Sequence, residues 1–374
     1  MKILIVSQWF VSKGSDGMVI PGGTERYSYG LAKQLQEDGH TVMVLSTTTD
    51  KELAGLKVLN GISIYRFKIP ERFYGYLADF LCFINLLKQK EFNPDIIHIV
   101  STGYRFAFGG IIASKIMKKK TVYTITLIPF KEGRGRLPIF LDKFIFSKTV
   151  GWSDVIIALS KEMKEILAKE VHHKKIVVIP SFFTESYCEE GNKDKAHNSI
   201  LFVGRLAVAH KGVDFLIKAM NYVVKEIPSA KLNLVGEGPS LNYLKELVSE
   251  YGLGNNIIFC GHIDEDQLFE MYFKNEILAM PSLREGMPMV LLEAMSAGLP
   301  IVAFDIECIK EALEDGKHGI LVKKGEIKEL ANQIIRLLNN DELREYYSRM
   351  SLERSKRYSQ DEVVRDIEKI YLSI

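Results

Sequence analysis

The chain has 374 residues, of which 47% are hydrophobic and 26% are charged, and a formal net charge of +2. These values are typical of a folded globular protein of about two domains, and they exclude a collagen-like, low-complexity or disordered chain. The four cysteines show no CxxC spacing, which argues against a disulfide framework or a structural zinc site and fits a reducing cytosol. The chain opens directly on a strand pattern, so we expect neither a signal peptide nor a membrane span of 18 apolar residues.

Short apolar runs alternate with helical patterns along the chain. The runs are residues 3–6, 42–45, 62–67, 96–100, 122–125 and 155–159, and after residue 198 they are 200–203, 232–235, 257–260, 277–280, 301–304 and 320–322. This alternation predicts two α/β domains, each with a doubly wound parallel sheet. Because the polar stretch 184–198 is typical of a crossing between domains, we place one domain at 1–183 and the next at 199–355. Residues 356–374 form a C-terminal helix that packs either on the first domain or on its own.

The net charge conceals a difference between the two parts of the chain. Residues 1–180 carry 26 Lys and Arg against 16 Asp and Glu, and the remainder carries 23 against 31. Within the basic part, residues 115–148 interleave cations with bulky apolar side chains. This pattern fits an anionic membrane surface, and it also fits a solvated basic helix beside a core helix. No recognisable nucleic-acid module is present, so we expect no nucleic-acid partner. The residues concerned are Lys115, Lys118, Lys119, Lys120, Lys131, Arg134, Arg136, Lys143 and Lys148, with Phe130, Leu137, Ile139, Phe140, Leu141, Phe144 and Phe146.

Two glutamates flank a helix start in residues 281–304. Glu285 lies in the predicted loop, and Glu293 lies inside the helix, because apolar residues recur at helical spacing from Val290 onward. Proline suits a first helical turn, glycine permits a close approach of the backbone, and the N–H groups at the helix start point toward an anion. The turn that we expect to bind a ligand contains Gly286, Met287, Pro288, Met289 and Val290.

A second candidate is the turn after residues 200–203. Ligands of open α/β sheets bind beyond the carboxyl ends of the strands, and here Gly204 and Arg205 follow a strand, with Lys211 before the next helix. Arg205 can bond a phosphate bidentately and Lys211 adds a point charge, each charge-assisted bond contributing about 1.5 to 3 kcal/mol.

Three further turns carry weaker signals. Gly22 and Gly23 precede a helix, which suits a phosphate but is also a common turn, and Gly236 follows a strand with the same ambiguity. Backbone groups near His262 and Ile263 suit the edge of a nucleobase, and a turn that caps the following helix is equally consistent with them.

These motifs occur in one order along the chain. They are the Gly22-Gly23 loop, Gly-His-Thr-Val at 39–42, Val-Gly-Arg-Leu at 203–206, Lys-Gly at 211–212, Val-Gly-Glu-Gly at 235–238, Pro-Ser at 281–282 and the Glu285/Glu293 pair. On these residues the chain resembles glycosyltransferase family 4 over nearly its whole length. The resemblance implies the GT-B fold, with two Rossmann-like domains facing a cleft, the first for the acceptor and the second for the donor.

The resemblance also implies an activity and residue roles. The implied reaction transfers a sugar with retention, without a metal ion or other cofactor, from a nucleotide-diphosphate sugar as co-substrate. Arg205 and Lys211 would hold the diphosphate, Glu293 the ribose hydroxyls and Glu285 the transferred sugar. Gly22 and Gly23 would close the phosphate site from the first domain. The acceptor is not identified by the sequence, and a lipid-linked molecule and a polysaccharide are both considered. We expect a cytoplasmic enzyme, at the cytoplasmic face of the membrane if the basic segment binds lipid.

Asp264-Glu265-Asp266 matches the D-x-D pattern that binds metals in another class of sugar transferases. We interpret it instead as a helix start, because aspartate caps helices well and an apolar helical face follows. No metal site is therefore expected.

One departure from the family concerns histidines of the first domain. Members often carry His-x-His after one strand and His-Asp after the next, whereas this chain has His98-Ile99-Val100 and Thr124-Ile125-Thr126-Leu127. His98 is therefore a candidate catalytic residue or a satisfied core histidine. The missing histidines keep a second hypothesis open, a nucleotide-sugar-binding protein without transfer activity. A dinucleotide oxidoreductase is disfavoured, because no G-x-G-x-x-G follows the first strand of either domain.

Overall fold

A computed structural model of the chain describes residues 1–8, 12–14, 17–19, 22–48, 50–69, 78–101, 104–127, 139–171, 175–183 and 195–374. The chain divides into two compact units, one of Met1–Ser181 with Gln360–Ile374 and the other of Phe182–Ser359. The first unit thus ends two residues before the limit of 183 expected from sequence. Most of the expected crossing, residues 184–194, lies outside the described residues.

The first unit is built on a parallel sheet with helices in its connections. Its strands are β1 (Lys2–Ser7), β2 (Ser12–Gly14), β3 (Gly17–Val19), β4 (Thr41–Thr48), β5 (Gly55–Leu59), β6 (Ile62–Lys68), β7 (Ile96–Ser101), β8 (Lys120–Ile125), β9 (Val155–Ala158) and β10 (Ile176–Val178). Its helices are α1 (Gly23–Glu37), α2 (Ala78–Lys88), α3 (Tyr104–Ile116), α4 (Ile139–Trp152), α5 (Lys161–Glu170) and α14 (Gln360–Leu372), with a 3-10 turn at Gln89–Glu91. The eight sheet strands are ordered β10-β9-β8-β7-β1-β4-β6-β5, and β2 and β3 form a separate hairpin.

The second unit repeats this plan with a six-stranded sheet. Its strands are β11 (Ser199–Val203), β12 (Lys231–Val235), β13 (Ile257–Gly261), β14 (Ile277–Met280), β15 (Ile301–Phe304) and β16 (Ile320–Val322), ordered β13-β12-β11-β14-β15-β16. Its helices are α6 (Val208–Lys211), α7 (Val213–Glu226), α8 (Leu241–Glu250), α9 (Glu265–Lys274), α10 (Met289–Ser296), α11 (Glu307–Ala312), α12 (Ile327–Leu338) and α13 (Asp341–Ser355), followed by a 3-10 turn at Lys356–Tyr358.

The predicted fold class, two doubly wound α/β units, is confirmed, and each of the twelve predicted runs coincides with a strand. The interior strands read as continuous apolar runs because helices cover both faces of a parallel sheet, and β9, β14 and β15 are buried at every residue. One pairing departs from the prediction, since β5 runs antiparallel to β6 at the sheet edge. The two strands are joined by Asn60-Gly61, and both residues have a positive φ. An Asn-Gly pair between two strands is a strong sequence signal for a tight hairpin, and the prediction from apolar runs did not include it.

Each sheet changes the direction of its strand order at its first strand. β1 lies between β4 and β7, and β11 lies between β12 and β14, all in parallel pairs. In each sheet the chain first adds strands on one side of the first strand and then crosses to its other side, which opens a crevice at the carboxyl ends of the strands. Open α/β sheets bind ligands at such topological switch points. The fold therefore marks one candidate site in each unit, after β1 and after β11.

The C-terminal helix α14 belongs to the first unit. Its apolar stripe is buried, and its polar residues bond to the N-terminal segment: His40 Nε2 lies 2.7 Å from Glu368 Oε1, and Gln360 Nε2 donates to Gln34 Oε1 at 3.1 Å. Of the two arrangements considered for this segment, the structure has the one in which it packs on the first unit. The helix begins at Gln360 and not at residue 356 as predicted, since Lys356–Tyr358 form a separate 3-10 turn.

Candidate functional site

The switch point of the second sheet brings Lys211 and Glu285 together. Lys211 ends the short helix α6 after β11, and Glu285 lies in the loop between β14 and α10. Lys211 Nζ donates to Glu285 Oε1 at 2.5 Å, and Ser282 Oγ donates to the same oxygen at 2.7 Å. Both charged side chains are largely buried, at 20% and 11% exposed. The two residues expected to hold diphosphate and sugar are thus in direct contact.

Arg205 follows β11 at the same sheet edge, and its side chain is exposed. No ion pair or side-chain hydrogen bond joins its guanidinium to another residue in the described part of the chain. A guanidinium is weakly hydrated and offers five donors in a planar fork, which matches two oxygens of a phosphate. Arg205 therefore has its donors available for an anion beside Lys211.

The turns after β11, β12 and β13 are stacked by backbone hydrogen bonds. Gly204 N donates to Val235 O at 3.0 Å, and Gly236 N donates to Gly261 O at 2.8 Å. A Cβ atom at Gly236 would lie 2.2 Å from Gly204 O, and the φ of Gly236 is +125°. A side chain at Gly236 would therefore displace the turn that carries Arg205. Gly204 and Gly236 lie at this edge as expected, and their donor-binding role stays a prediction.

The N-terminus of α10 lies directly after Glu285. Pro288 is the N-cap residue, and no side chain caps the first turn. Met287 and Met289 are buried, while Gly286 and Val290 are partly exposed. The N–H groups of Met289 and Val290 belong to the first helical turn, whose dipole favours a negative charge. The predicted loop-then-helix arrangement around Glu285 is confirmed.

Glu293 occupies a different environment from Glu285. It lies in the middle of α10, is 1% exposed, and its Oε2 accepts a hydrogen bond from Tyr272 Oη at 2.8 Å. Tyr272 lies on the buried face of α9, and the spacing of apolar residues that predicts this face carries no signal for the contact of its hydroxyl. A ribose hydroxyl would have to reach a carboxylate held inside the helix packing, and that role for Glu293 stays a prediction.

His262 and Ile263 follow β13, with the His262 side chain exposed. Next to them, Asp264 caps α9: its Oδ1 accepts from Gln267 N at 2.8 Å, and the Gln267 side chain accepts from Asp264 N at 3.3 Å. The interpretation of Asp264-Glu265-Asp266 as a helix start is confirmed. Within the described ranges, no three His, Cys, Asp or Glu side chains are grouped as ligands for a metal ion.

His98 has the surroundings of a satisfied core histidine, one of the two interpretations considered, and its candidate catalytic role stays a prediction that these surroundings disfavour. It is the third residue of β7 rather than the end of a strand, and it is 0% exposed. Its Nδ1 lies 2.5 Å from Tyr371 Oη, and its Nε2 lies 2.7 Å from Thr124 Oγ1. Burial lowers the pKa of His98 to about 3. Both ring nitrogens are therefore occupied, and the ring stays neutral in the core.

Gly22 and Gly23 lie at the switch point of the first sheet. Gly22 is the N-cap of α1, with no side-chain cap, and Gly23 begins the helix. Thr24 Oγ1 donates to Thr126 Oγ1 at 3.4 Å, and Thr126 stands where the family often has a histidine. The structure thus groups Gly22, Gly23, Thr24 and Thr126 in the first unit, while the other site residues except His98 lie in the second. Ser282 belongs to the Pro-Ser motif at 281–282, and its position three residues before Glu285 is the sequence signal for the contact of the two side chains.

The basic segment 115–148 is described only in part. Lys131, Arg134, Arg136, Phe130 and Leu137 lie outside the described residues. On α4, Phe144 is 50% exposed and Trp152 is 43% exposed. Lys148 Nζ lies 5.4 Å from the Phe144 ring centre and 5.9 Å from that of Trp152. Phe146 is buried, so the helix has both a core face and an exposed aromatic face. Among the helices of the described residues, none has the length and apolar character needed to cross a bilayer.

Comparison with known proteins agrees with these features. Residues 183–354 match the family model of glycosyl transferases group 1, and residues 21–184 match that of glycosyltransferase family 4. An uncharacterised glycosyltransferase of Methanocaldococcus jannaschii is 31% identical over 355 residues, 94% of each chain. One of Haemophilus influenzae is 28% identical over 345 residues, 91% of this chain and 92% of the relative.

Among solved structures, HepE of Anabaena in complex with UDP and glucose has a TM-score of 0.81 at 21% identity, over 100% of both chains. At this identity the likeness concerns the fold, which is GT-B. The two family models and the 31% identical relative show the family. The chain belongs to the group 1, family 4 glycosyltransferases, and it is a glycosyltransferase with the GT-B fold.

Proposed function

We propose that this enzyme transfers a sugar from a nucleotide-diphosphate sugar to an acceptor hydroxyl, with retention at the anomeric carbon and without a metal ion. The observation that carries the proposal is the Lys211–Glu285 contact of 2.5 Å at the switch point of the second sheet. A cation suited to phosphate and a carboxylate suited to sugar hydroxyls meet at one point. HepE, solved with UDP and glucose, shares the fold over its full length, which supports a donor of this type.

The charges of the site support the proposed division of roles. Negative charge grows on the diphosphate as its bond to the sugar breaks, and fixed cations and N–H dipoles stabilise it best when they are already oriented. Arg205, Lys211 and the N-terminus of α10 supply these groups. Glu285 uses Oε1 for Lys211 and Ser282, and its Oε2 bonds to no other residue of the described chain. That second oxygen can accept a hydrogen bond from a sugar hydroxyl.

The proposed transfer needs no basic side chain to take the acceptor proton. The bond between the anomeric carbon and the phosphate oxygen breaks, and a bond to the acceptor oxygen forms on the same face of the sugar. The acceptor proton passes to the departing phosphate oxygen. This route is consistent with the burial of His98, whose two nitrogens are held by Tyr371 and Thr124.

A transfer assay tests the proposal. The purified chain is incubated with a panel of nucleotide sugars and acceptors after dialysis against EDTA, and free nucleotide diphosphate and product are quantified. NMR coupling constants compare the anomeric configuration of product and donor. We expect transfer with retention in EDTA, and losses of about 10²-fold or more in Arg205→Ala and Glu285→Gln. Arg349→Ala, at an exposed arginine on α13, is the control. Wild-type turnover in both site variants would show that the site is wrongly assigned. Binding of a nucleotide sugar without transfer would support the second hypothesis, a nucleotide-sugar-binding protein without transferase activity.

We further propose that the enzyme binds anionic membranes through α4, so that a lipid-linked acceptor fits best. Phe144, Lys148 and Trp152 recur every four residues and therefore share one helix face. An exposed aromatic stripe with a central lysine suits the headgroup region of an anionic bilayer.

Vesicle flotation tests the membrane proposal. We expect the protein to float with phosphatidylglycerol vesicles at low salt, to be released at high salt, and to ignore phosphatidylcholine vesicles. The double variant Phe144→Ala with Trp152→Ala should remain in the bottom fraction. Tyr243→Ala, which removes an aromatic residue that is 47% exposed on α8 of the second unit, is the matched control. Equal flotation of wild type and the double variant would overturn the proposal.

A further inference from the structure

Ser282 occupies a fixed position beside Glu285. It is the second residue after β14, which ends at Met280, and it is 0% exposed. Its Oγ donates a hydrogen bond of 2.7 Å to Glu285 Oε1. A hydroxyl has a single donor, so this contact uses the whole donor capacity of the side chain. Only one rotatable bond separates Oγ from the backbone, so the position of the loop fixes the direction of the hydrogen bond.

The loop that carries Ser282 is attached to the short helix α6. His210 O accepts a hydrogen bond from Leu283 N at 2.8 Å, directly after Ser282. On the other side, a Cβ atom at Gly212 would lie 2.2 Å from Pro281 O, so glycine at position 212 permits the close approach of the two segments. The backbone is therefore in contact with α6 on both sides of Ser282, which holds its hydroxyl in one place.

Lys211 is the other partner of Glu285 Oε1, and it is a less directional one. Its ammonium ends a flexible stem of four carbons and has three donors. One of these donors reaches Glu285 Oε1 at 2.5 Å, and the diphosphate of the proposed donor would attract the same cation. A diphosphate carries more negative charge than a carboxylate, so its approach draws the ammonium toward the phosphate oxygens. The hydroxyl of Ser282 is uncharged and takes no part in that competition.

We propose that Ser282 is a positioning residue for the transferred sugar. It keeps Glu285 Oε1 in place when the donor diphosphate engages Lys211, so that Glu285 Oε2 faces a sugar hydroxyl. The inference rests on the proposed function, because it requires that Glu285 binds the sugar and Lys211 the diphosphate. A carboxylate that turns away would leave the diphosphate contacts intact and would lose the alignment of the anomeric carbon. Misplacement by about 1 Å in such an arrangement costs about 10²-fold in rate.

Steady-state kinetics and calorimetry test the role of Ser282. The probes are UDP-glucose, UDP-galactose, UDP-N-acetylglucosamine and GDP-mannose, with UDP and GDP as the free nucleotides. Ser282→Ala should lower kcat with the accepted nucleotide sugar by about 10- to 100-fold. Its affinity for the free nucleotide should change by less than about twofold, because the diphosphate contacts remain. Ser282→Thr keeps a hydroxyl at this position and should recover kcat to within about threefold of wild type.

A double-mutant cycle determines whether Ser282 acts through Glu285. In the Glu285→Ala background, Ser282→Ala should change kcat by less than about twofold, since the carboxylate that the hydroxyl orients is gone. Ser351→Ala is the matched control, because Ser351 is also 0% exposed in the second unit and its Oγ donates to backbone carbonyls of Leu299 and His318. This control should lower thermal stability and leave kcat unchanged.

Thermal unfolding checks the folding of each variant. Ser282→Cys replaces the hydroxyl by a weak donor of similar size, so it should lose kcat as Ser282→Ala does and gives the same comparison if the alanine variant unfolds. The proposal is overturned if both variants turn over as wild type does, if the loss is as large in the Glu285→Ala background, or if the affinity for the free nucleotide falls as far as kcat. A wild-type chain that binds and transfers none of the nucleotide sugars contradicts the proposed function instead.

Discussion

Lys211 and Glu285 are 74 residues apart in sequence, and Lys211 Nζ lies 2.5 Å from Glu285 Oε1. The parallel sheet causes this contact, because β11 and β14 are neighbours whose carboxyl ends lie at the same edge. Each residue stabilises the charge of the other in a largely buried place. The ligand-binding function proposed for either residue is therefore coupled to the stability of the second unit.

Replacing Lys211 should affect stability as well as activity. Lys211→Met leaves the Glu285 carboxylate with Ser282 as its remaining partner among the described residues, so we expect the free energy of unfolding to fall by about 1–3 kcal/mol. Turnover should fall by about 10² to 10³. Urea unfolding and the transfer assay measure the two effects. In the double variant with Glu285→Gln, much of the lost stability should return while activity stays low, and purely additive losses would contradict the coupling.

Replacing Arg205 should affect activity alone. Its exposed guanidinium has no partner within the described part of the chain, so Arg205→Ala should change the free energy of unfolding by less than about 0.5 kcal/mol. The donor diphosphate loses a bidentate partner, and turnover should fall by about 10² to 10³. Thermal unfolding with and without UDP gives a second readout, since the stabilisation by UDP should shrink. A variant that is destabilised but still stabilised normally by UDP would show that Arg205 has a structural role.

The strand ends could be read from the sequence, whereas the neighbours of each side chain could not. A strand followed by Gly204-Arg205, and a loop with Glu285 before a proline-started helix, are local patterns that place residues at one edge of a sheet. The contact of Tyr272 with Glu293 depends on how α9 and α10 pack, and spacing within one helix carries no information on that. The surroundings of His98 could not be predicted for a similar reason. An apolar run fixes where a strand lies, but the partners of His98 come from Thr124, 26 residues away, and Tyr371, 273 residues away.

Gly236 should be intolerant of a side chain. Its φ of +125° and the 2.2 Å approach of its added Cβ to Gly204 O both oppose alanine. We expect Gly236→Ala to lower the free energy of unfolding by about 1–3 kcal/mol through backbone strain and displacement of the neighbouring turn. Because that turn carries Arg205, the affinity for UDP should fall too. Gly254→Ala is the matched control, since no atom lies within 4 Å of its added Cβ and its φ is not positive. Equal effects of the two substitutions on stability would refute this account of Gly236.

His98 should make the first unit sensitive to acid. Burial lowers its pKa to about 3 in the folded chain from an ordinary value of 6.5. Between these two pH values the unfolded chain binds a proton that the folded chain does not, so stability rises with pH through this window and is complete above it. We expect a contribution to the slope of about 1.4 kcal/mol per pH unit, measured by urea unfolding from pH 7 to pH 4.

Two variants distinguish this titration from other acid effects. His98→Asn removes the ionisable ring. The difference in bound protons between its unfolded and folded states should therefore be smaller by about one, and its free energy of unfolding should change less with pH. Tyr371→Phe keeps the ring buried but removes its hydroxyl partner, so the whole curve should drop by about 1–3 kcal/mol while its slope remains. Turnover at pH 7.5 should stay within twofold of wild type in Tyr371→Phe, because we expect His98 to hold the C-terminal helix in the core without taking part in transfer. A large loss of turnover in a variant with normal stability would show that His98 takes part in the reaction.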